Sequence, residues 1–158
     1  MSYVSNNLML GETVKYTAKI TWLIYLPSIL TIVIGVTFAV ISRSFGSDAQ
    51  VILLVGGFFA FMGLLKLISA FIKRWTTELA VTSKRVIYKT GLIRRHTSEL
   101  NHVKIESFHV DQSITGRIFD YGTIEIVGSG GGRTPITDVD NPLEFRKQAM
   151  QVMDANLS

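Results

Sequence analysis

Hydrophobic positions divide this chain into two regimes. Over residues 20–41 and again over 49–65 they run almost without interruption, whereas from Thr76 onward they come in short alternating segments broken by turn residues. The first run lies between Lys19 and Arg43, and the charge-free stretch exceeds the ~20 residues that carry an α-helix across a bilayer core. A secretory signal would have a shorter apolar region, about 7–15 residues, and a small-residue cleavage site. This run ends instead in Ser42-Arg43-Ser44-Phe45. The second run tolerates Lys66 and continues to Ile72, just before Lys73-Arg74. Spans are therefore expected at about 20–42 and 50–72, and the short connection between them requires an antiparallel hairpin.

After Trp75 the period becomes two, the signature of strands with one buried face. Residues 76–82 place Leu79 and Val81 on one face, Ser83-Lys84 forms a tight turn, and 85–90 returns with Val86 and Tyr88. Gly91 marks the next reversal, and residues 92–100 and 103–110 read as two further strands separated by Asn101-His102. Ile114 and Ile118, four apart, predict a short helical turn. Residues 123–127 alternate again with Ile124 and Ile126 inward, and the glycines of 128–132 lead into a last strand over 133–139, where Pro135 marks an edge or a bulge. A helix follows, with Asn141 as N-cap, Pro142 at its first position and Glu144 at the capping-box position. Its apolar stripe, Phe145, Ala149, Val152 and Met153, is narrow and suits a helix that closes one mouth of a bent sheet. This gives six or seven strands and one C-terminal helix.

Charge changes the picture of what the soluble part binds. The net charge of +4 lies wholly in residues 1–74, while residues 75–158 carry acidic and basic side chains in equal number. A neutral domain is a poor general polyanion binder, so no nucleic-acid partner is expected. Lys15 and Lys19 before the first span, with Lys66, Lys73 and Arg74 at the end of the second, put both termini in the cytoplasm by the positive-inside rule. Trp22, Tyr25 and Trp75 form a one-sided aromatic belt. Gly35 with Ala39 and Gly56 with Ala60 offer small-residue faces for close helix approach, within the hairpin or between copies, and the reading preferred is the hairpin itself. The organisation expected is a cytoplasmic lead-in over 1–19, a hairpin over 20–74 and a cytoplasmic domain over 75–158.

Thr82-Ser83-Lys84-Arg85-Val86-Ile87-Tyr88, Gly91-Leu92-Ile93, Lys104-Ile105-Glu106, Gln112-Ser113, Gly116-Arg117, Tyr121-Gly122-Thr123-Ile124 and Asp140-Asn141-Pro142-Leu143-Glu144-Phe145, in that order, resemble the second bacterial pleckstrin-homology-like family, formerly a domain of unknown function. The resemblance covers residues 75–150, and both the hairpin and Leu10-Gly11-Glu12 are similar to the family's usual arrangement. It implies an α+β membrane protein: a transmembrane hairpin, then a partly open β-barrel of about seven strands capped by a C-terminal helix, in a bacterial cytoplasmic (inner) membrane. It implies no activity, because fold does not give function.

Candidate chemistry is concentrated in basic residues. Lys84, Arg85, Lys89, Arg94 and Arg95 form the densest run, with no acid from Ser83 to His96. They read as a surface for anionic lipid or a partner, either as a phosphate-binding face or as a juxtamembrane patch worth about 1 kcal/mol per exposed cation. Lys66, Lys73 and Arg74 are candidate interfacial lipid contacts, with Lys66 snorkelling toward Lys73. Residues 128–132 lack the Lys-Ser/Thr ending of a phosphate loop and read as a hairpin turn rather than an anion nest. Arg117 is expected to tie down its segment by pairing with Asp111 or Asp120. His96, His102 and His109 recur at six and seven residues, a spacing of neither helical ligand pairs nor one strand face, and with no cysteine present no metal or cofactor is expected. No nucleophile elbow, zinc helix or P-loop occurs, so no enzyme is expected. The sequence thus points to a membrane-anchored, non-enzymatic binding module for anionic lipid or a neighbouring membrane protein. The alternative is a structural subunit that self-assembles through the hairpin and domain edges.

Overall fold

The computed structural model describes residues 3–44, 46, 49–92 and 95–157. In chain order the elements are α1 (Tyr3–Asn6), β1 (Val14–Ala18), α2 (Leu26–Ile41), α3 (Ala49–Thr76), β2 (Glu78–Thr82), β3 (Arg85–Thr90), β4 (His96–Asn101), β5 (Ile105–Asp111), α4 (Ile114–Ile118), β6 (Tyr121–Gly128), β7 (Arg133–Asp140) and α5 (Pro142–Leu157). They form two units: Trp22–Trp75 is one, and the residues before Trp22 together with those after Trp75 are the other.

The second of these units is an α+β fold of seven antiparallel strands in two sheets, ordered β1-β2-β3-β4 and β5-β6-β7. Seven strands are present, but they do not close into a barrel. The sheets meet at one corner, where Ile20 bridges Val139, the Thr21 amide donates to the Asp138 carbonyl at 2.8 Å and the Asp140 amide to the Lys19 carbonyl at 2.9 Å.

The seventh strand comes from an unexpected place. β1 lies in the segment expected to be a lead-in and pairs with β2 in the register Ala18↔Leu79, Thr17↔Ala80 and Tyr16↔Val81. The lead-in is therefore part of the folded domain, and the two long helices are an insertion between neighbouring strands. Its sequence carries the strand period: Tyr16, Ala18 and Ile20 alternate with Lys15, Thr17 and Lys19, and Ala18 and Ile20 are buried.

The core lies between the sheets and under α5. Leu79, Val81 and Val86 from the first sheet face Ile105, Ile124, Ile126, Ile136 and Val139, and Phe145 and Ala149 of α5 complete the cluster. Phe145 is fully buried, edge-on to Tyr16 at 6.1 Å and to Phe108 at 6.4 Å, so α5 joins both sheets. Pro142 begins α5 as expected, but the capping box does not form. Asn141 takes a positive φ of 49°, its amide donates to the Asp120 carbonyl, and Glu144 accepts from Gln148 at 2.7 Å instead.

In the helical unit, α2 and α3 approach through their glycines. A Cβ on Gly35 would fall 2.5 Å from the Ala60 nitrogen, and one on Gly56 2.7 Å from the Gly35 carbonyl oxygen. The small-residue faces thus serve the hairpin itself. The other faces are apolar and open: Val33, Leu54, Phe58, Phe61 and Ile68 are all exposed.

Candidate functional site

The register of the first sheet sorts the basic run onto two ends. Ala18↔Leu79, Glu78↔Lys89 and Thr90↔His96 place the end of β1, the start of β2, the end of β3 and the start of β4 together. Thr21 and Thr76, where the chain leaves for the helical unit and returns, flank this end, and the Thr77 and Thr90 hydroxyls meet there at 3.2 Å. Lys84 and Arg85 sit at the β2–β3 turn, the far end of the same sheet. The five residues are therefore not one patch.

Arg85 is not a surface cation. It is 5% exposed, and its guanidinium is taken up by Glu12 through Nε–Oε1 and Nη2–Oε2, both 3.0 Å, by Glu99 through Nη1, and by the Asn7 carbonyl at 2.8 Å. Burial alone would raise the Glu12 carboxyl. The Met9 amide, the Thr82 hydroxyl and Arg85 outweigh it and hold Glu12 below its ordinary 4.5. Lys89 pairs with Glu78 at 3.2 Å and lies over the Tyr3 ring at 5.3 Å. Glu78 also accepts from the Tyr3 and Val4 amides, and Val4 packs on Ala80 and Ile87 on the outer face of the sheet. The chain's own N-terminal segment thus covers the surface that Arg85 and Lys89 were expected to offer. Lys84 is exposed and donates to the Leu10 carbonyl at 2.9 Å, and Arg95 is exposed at the span-bearing end. Arg94 lies outside the described residues. On α3, Lys66 is exposed, Lys73 is half-buried and Arg74 stacks over Tyr25 at 5.7 Å.

Other sequence candidates resolve into structural parts. The turn after β6 spends its amides internally: Gly128 donates to the Gly132 carbonyl, Gly131 to that of Gly128 and Ser129 to that of Lys104. Those amides are not available to an anion. Among the described residues Arg117 forms no ion pair with Asp111 or Asp120. Gln112 holds that segment instead, reaching the Gly116 and Tyr121 carbonyls, while Ser113 caps α4 by accepting from the Gly116 amide at 3.1 Å. A Cβ on Gly116 or Gly122 would lie 2.5 Å from the Tyr121 or Asp111 carbonyl oxygen, so both positions need glycine. His102 is buried with Nε2 2.9 Å from the Thr82 carbonyl, His109 contacts Ser107, and His96 opens β4.

One feature was missed by reading charges. The core-facing positions of three strands turn polar in the same direction: Val86, Tyr88, Thr90 along β3, Leu100, Ser98, His96 along β4, and Ile136, Thr134 along β7. Of these, Tyr88, Thr90, Ser98, His96 and Thr134 line a cavity of about 470 Å³, together with Thr97, Arg133 and Pro135, at the end of the first sheet where β3 passes into β4. The signal was present as a period of two within each strand, but which strands face one another is a tertiary fact.

Two antiparallel sheets of four and three strands followed by a C-terminal helix over the core fit a pleckstrin-homology-type domain. The profile of the family described as Bacterial PH domain matches residues 20–153, and the chain belongs to that family. Comparison with curated proteins and with solved structures gave no match.

Proposed function

We propose that the protein is a membrane-anchored, non-enzymatic binding module, in which the inserted hairpin holds a Bacterial PH domain at the cytoplasmic surface of a bacterial inner membrane. Its ligand is anionic lipid or a neighbouring membrane protein. The observation that carries this reading is the insertion itself. Two helical segments, Trp22–Ser44 and Ala49–Thr76, highly apolar and only 11% buried over their most hydrophobic windows, leave and re-enter one domain between hydrogen-bonded strands within a few residues of each strand. So much open apolar surface calls for an apolar solvent. Because residues on both sides of the hairpin fold together, both termini lie on one face, and Lys15, Lys19, Lys73 and Arg74 favour the cytoplasmic one. Anchoring supplies the high local concentration that lets a weak contact suffice.

The alternative, a self-assembling subunit, draws less support, since Gly35 and Gly56 are spent within the hairpin. The absence of cysteine makes the test direct. Single cysteines at Gly46 and Thr115 are expected to react with an impermeant maleimide on opposite sides of the membrane, in protein that resists carbonate extraction. Release by carbonate, or labelling of both positions from one side, defeats the proposal.

A further inference from the structure

We propose that the outer face of the first sheet is a peptide-docking groove filled by the chain's own residues 3–10, and that a neighbouring protein docks by displacing them with a segment that presents an aromatic residue followed by a β-branched one. That partner class rests on the proposed binding-module function; the groove itself stands on contacts within one unit.

Side chains alternate across a strand, so register decides what this face carries. One row runs Thr17, Ala80, Ile87, Glu99 from β1 to β4, and the next runs Glu78, Lys89, Thr97. Ala80 and Ile87 are thus an apolar pair in polar surroundings, yet both are 0% exposed. Their cover is slight. Val4 is the only buried residue of 3–11, with Tyr3 and Leu8 packed beside it, and α1 is a single turn of four residues, too short to hold its shape alone. Ser5, Asn6, Asn7, Met9 and Leu10 are exposed. A segment held by so few buried contacts detaches far more readily than the strands beneath it.

The polar contacts of the groove recognise backbone. Glu78 accepts from the Tyr3 and Val4 amides at 2.9 and 3.2 Å, the Arg85 guanidinium donates to the Asn7 carbonyl, and the Lys84 ammonium donates to the Leu10 carbonyl. Any peptide carries these groups, so they do not commit the groove to this one sequence. Selectivity lies in two side chains: Val4, seated on Ala80 and Ile87, and Tyr3, whose ring lies under the Lys89 ammonium that Glu78 holds in place. Release also has a natural stop. Gly11 takes a φ of 73° in open space, and the next residue, Glu12, stays fixed by the Thr82 hydroxyl and Arg85, so β1 and the sheet persist when the segment leaves. The vacated face then offers an apolar slot between a carboxylate for amides and two cations for carbonyls, the complement of a peptide lying as residues 3–10 do.

The test uses the full chain in maltoside micelles and the fluorescence anisotropy of a labelled, N-acetylated peptide of residues 3–10. Val4→Asp in the chain unseats its own segment and leaves the groove intact, so this variant is expected to bind the peptide saturably. The parent is expected to bind at least about tenfold more weakly, because a closed groove lowers apparent affinity by the fraction that is open. In the Val4→Asp background, Glu78→Gln is expected to weaken binding about tenfold, the loss of one or two polar contacts, and Arg117→Gln on α4 to leave it unchanged. A peptide with Asp in place of Val4 is expected not to bind. Loss of the cooperative unfolding transition in Val4→Asp would make the segment an integral part of the domain and overturn the proposal. So would an absence of saturable binding by the folded variant, or equal binding by parent and variant. A parent dimer in light scattering that Val4→Asp abolishes assigns the groove to a second copy and overturns the neighbouring protein as occupant. Carbonate extraction is scored separately: release from the membrane defeats the anchor and spares the groove, whereas retention without peptide binding defeats the groove and spares the anchor.

Discussion

Arg85 and Glu12, both buried, face each other through two parallel hydrogen bonds of 3.0 Å across 73 residues of chain that include the whole hairpin. A bidentate pair of this kind is costly to desolvate and costlier to break, since removing one partner strands the other in the interior. Glu12→Gln is accordingly expected to destabilise the domain by about 3–5 kcal/mol, read by chemical denaturation of the detergent-solubilised chain. A loss below about 1 kcal/mol would mean that the pair is open to solvent.

The same carboxyl sets an acid limit. Glu12 is held below 4.5 in the folded protein, so over the range below that value the unfolded chain binds the proton more readily than the folded one. Its contribution is present above pH 4.5 and falls away as the pH drops through the lowered folded value. Unfolding midpoints of the parent chain should therefore decline more steeply with acid than those of Glu12→Gln, and parallel curves would refute the assignment.

A fragment beginning at residue 76 is expected not to fold. It lacks β1, leaves the edge of β2 unpaired, and uncovers Ala80 and Ile87 where α1 packs. Joining residues 3–21 to 76–157 through a short flexible linker in place of the hairpin restores every strand and is expected to give a cooperative unfolding transition. Cooperative unfolding of the fragment from 76 alone would show β1 to be dispensable.

Glycine positions divide cleanly by the room around them. Gly116→Ala and Gly122→Ala each drive a Cβ to 2.5 Å from a carbonyl oxygen, and a loss of about 1–3 kcal/mol is expected. Gly130→Ala meets nothing within 4 Å and has no positive φ, so its midpoint should stay within about 0.5 kcal/mol of the parent.

Much of the fold was legible because its signals are local. The two apolar runs, the alternation of Leu79, Val81 and Val86, the inward Ile124 and Ile126, and Pro142 at a helix start all act within a few residues. Pro135 does lie on an edge strand. The site was harder to see. The basic run is contiguous in sequence, yet successive strands reverse direction, so Lys84 and Arg95 finish at opposite ends of one sheet. Arg85 looked free because its acid partners, Glu12 and Glu99, lie outside the run. β1 was concealed by its lysines, which served equally well as flanking charges for a span. A partly open barrel of about seven strands was expected from family resemblance, and the seven strands form two sheets that do not close, joined at the Ile20–Val139 corner.

The insertion of the hairpin between β1 and β2 also orders events during synthesis. β1 leaves the ribosome first, but its hydrogen-bonding neighbour arrives only after both apolar helices have been made. In the proposed topology β1 must wait, unpaired, until the hairpin has turned back through the bilayer. A chain that crossed only once would leave β1 and β2 in different compartments and could never assemble the first sheet. Completion of the domain thus acts as a built-in check that the membrane part has been threaded correctly.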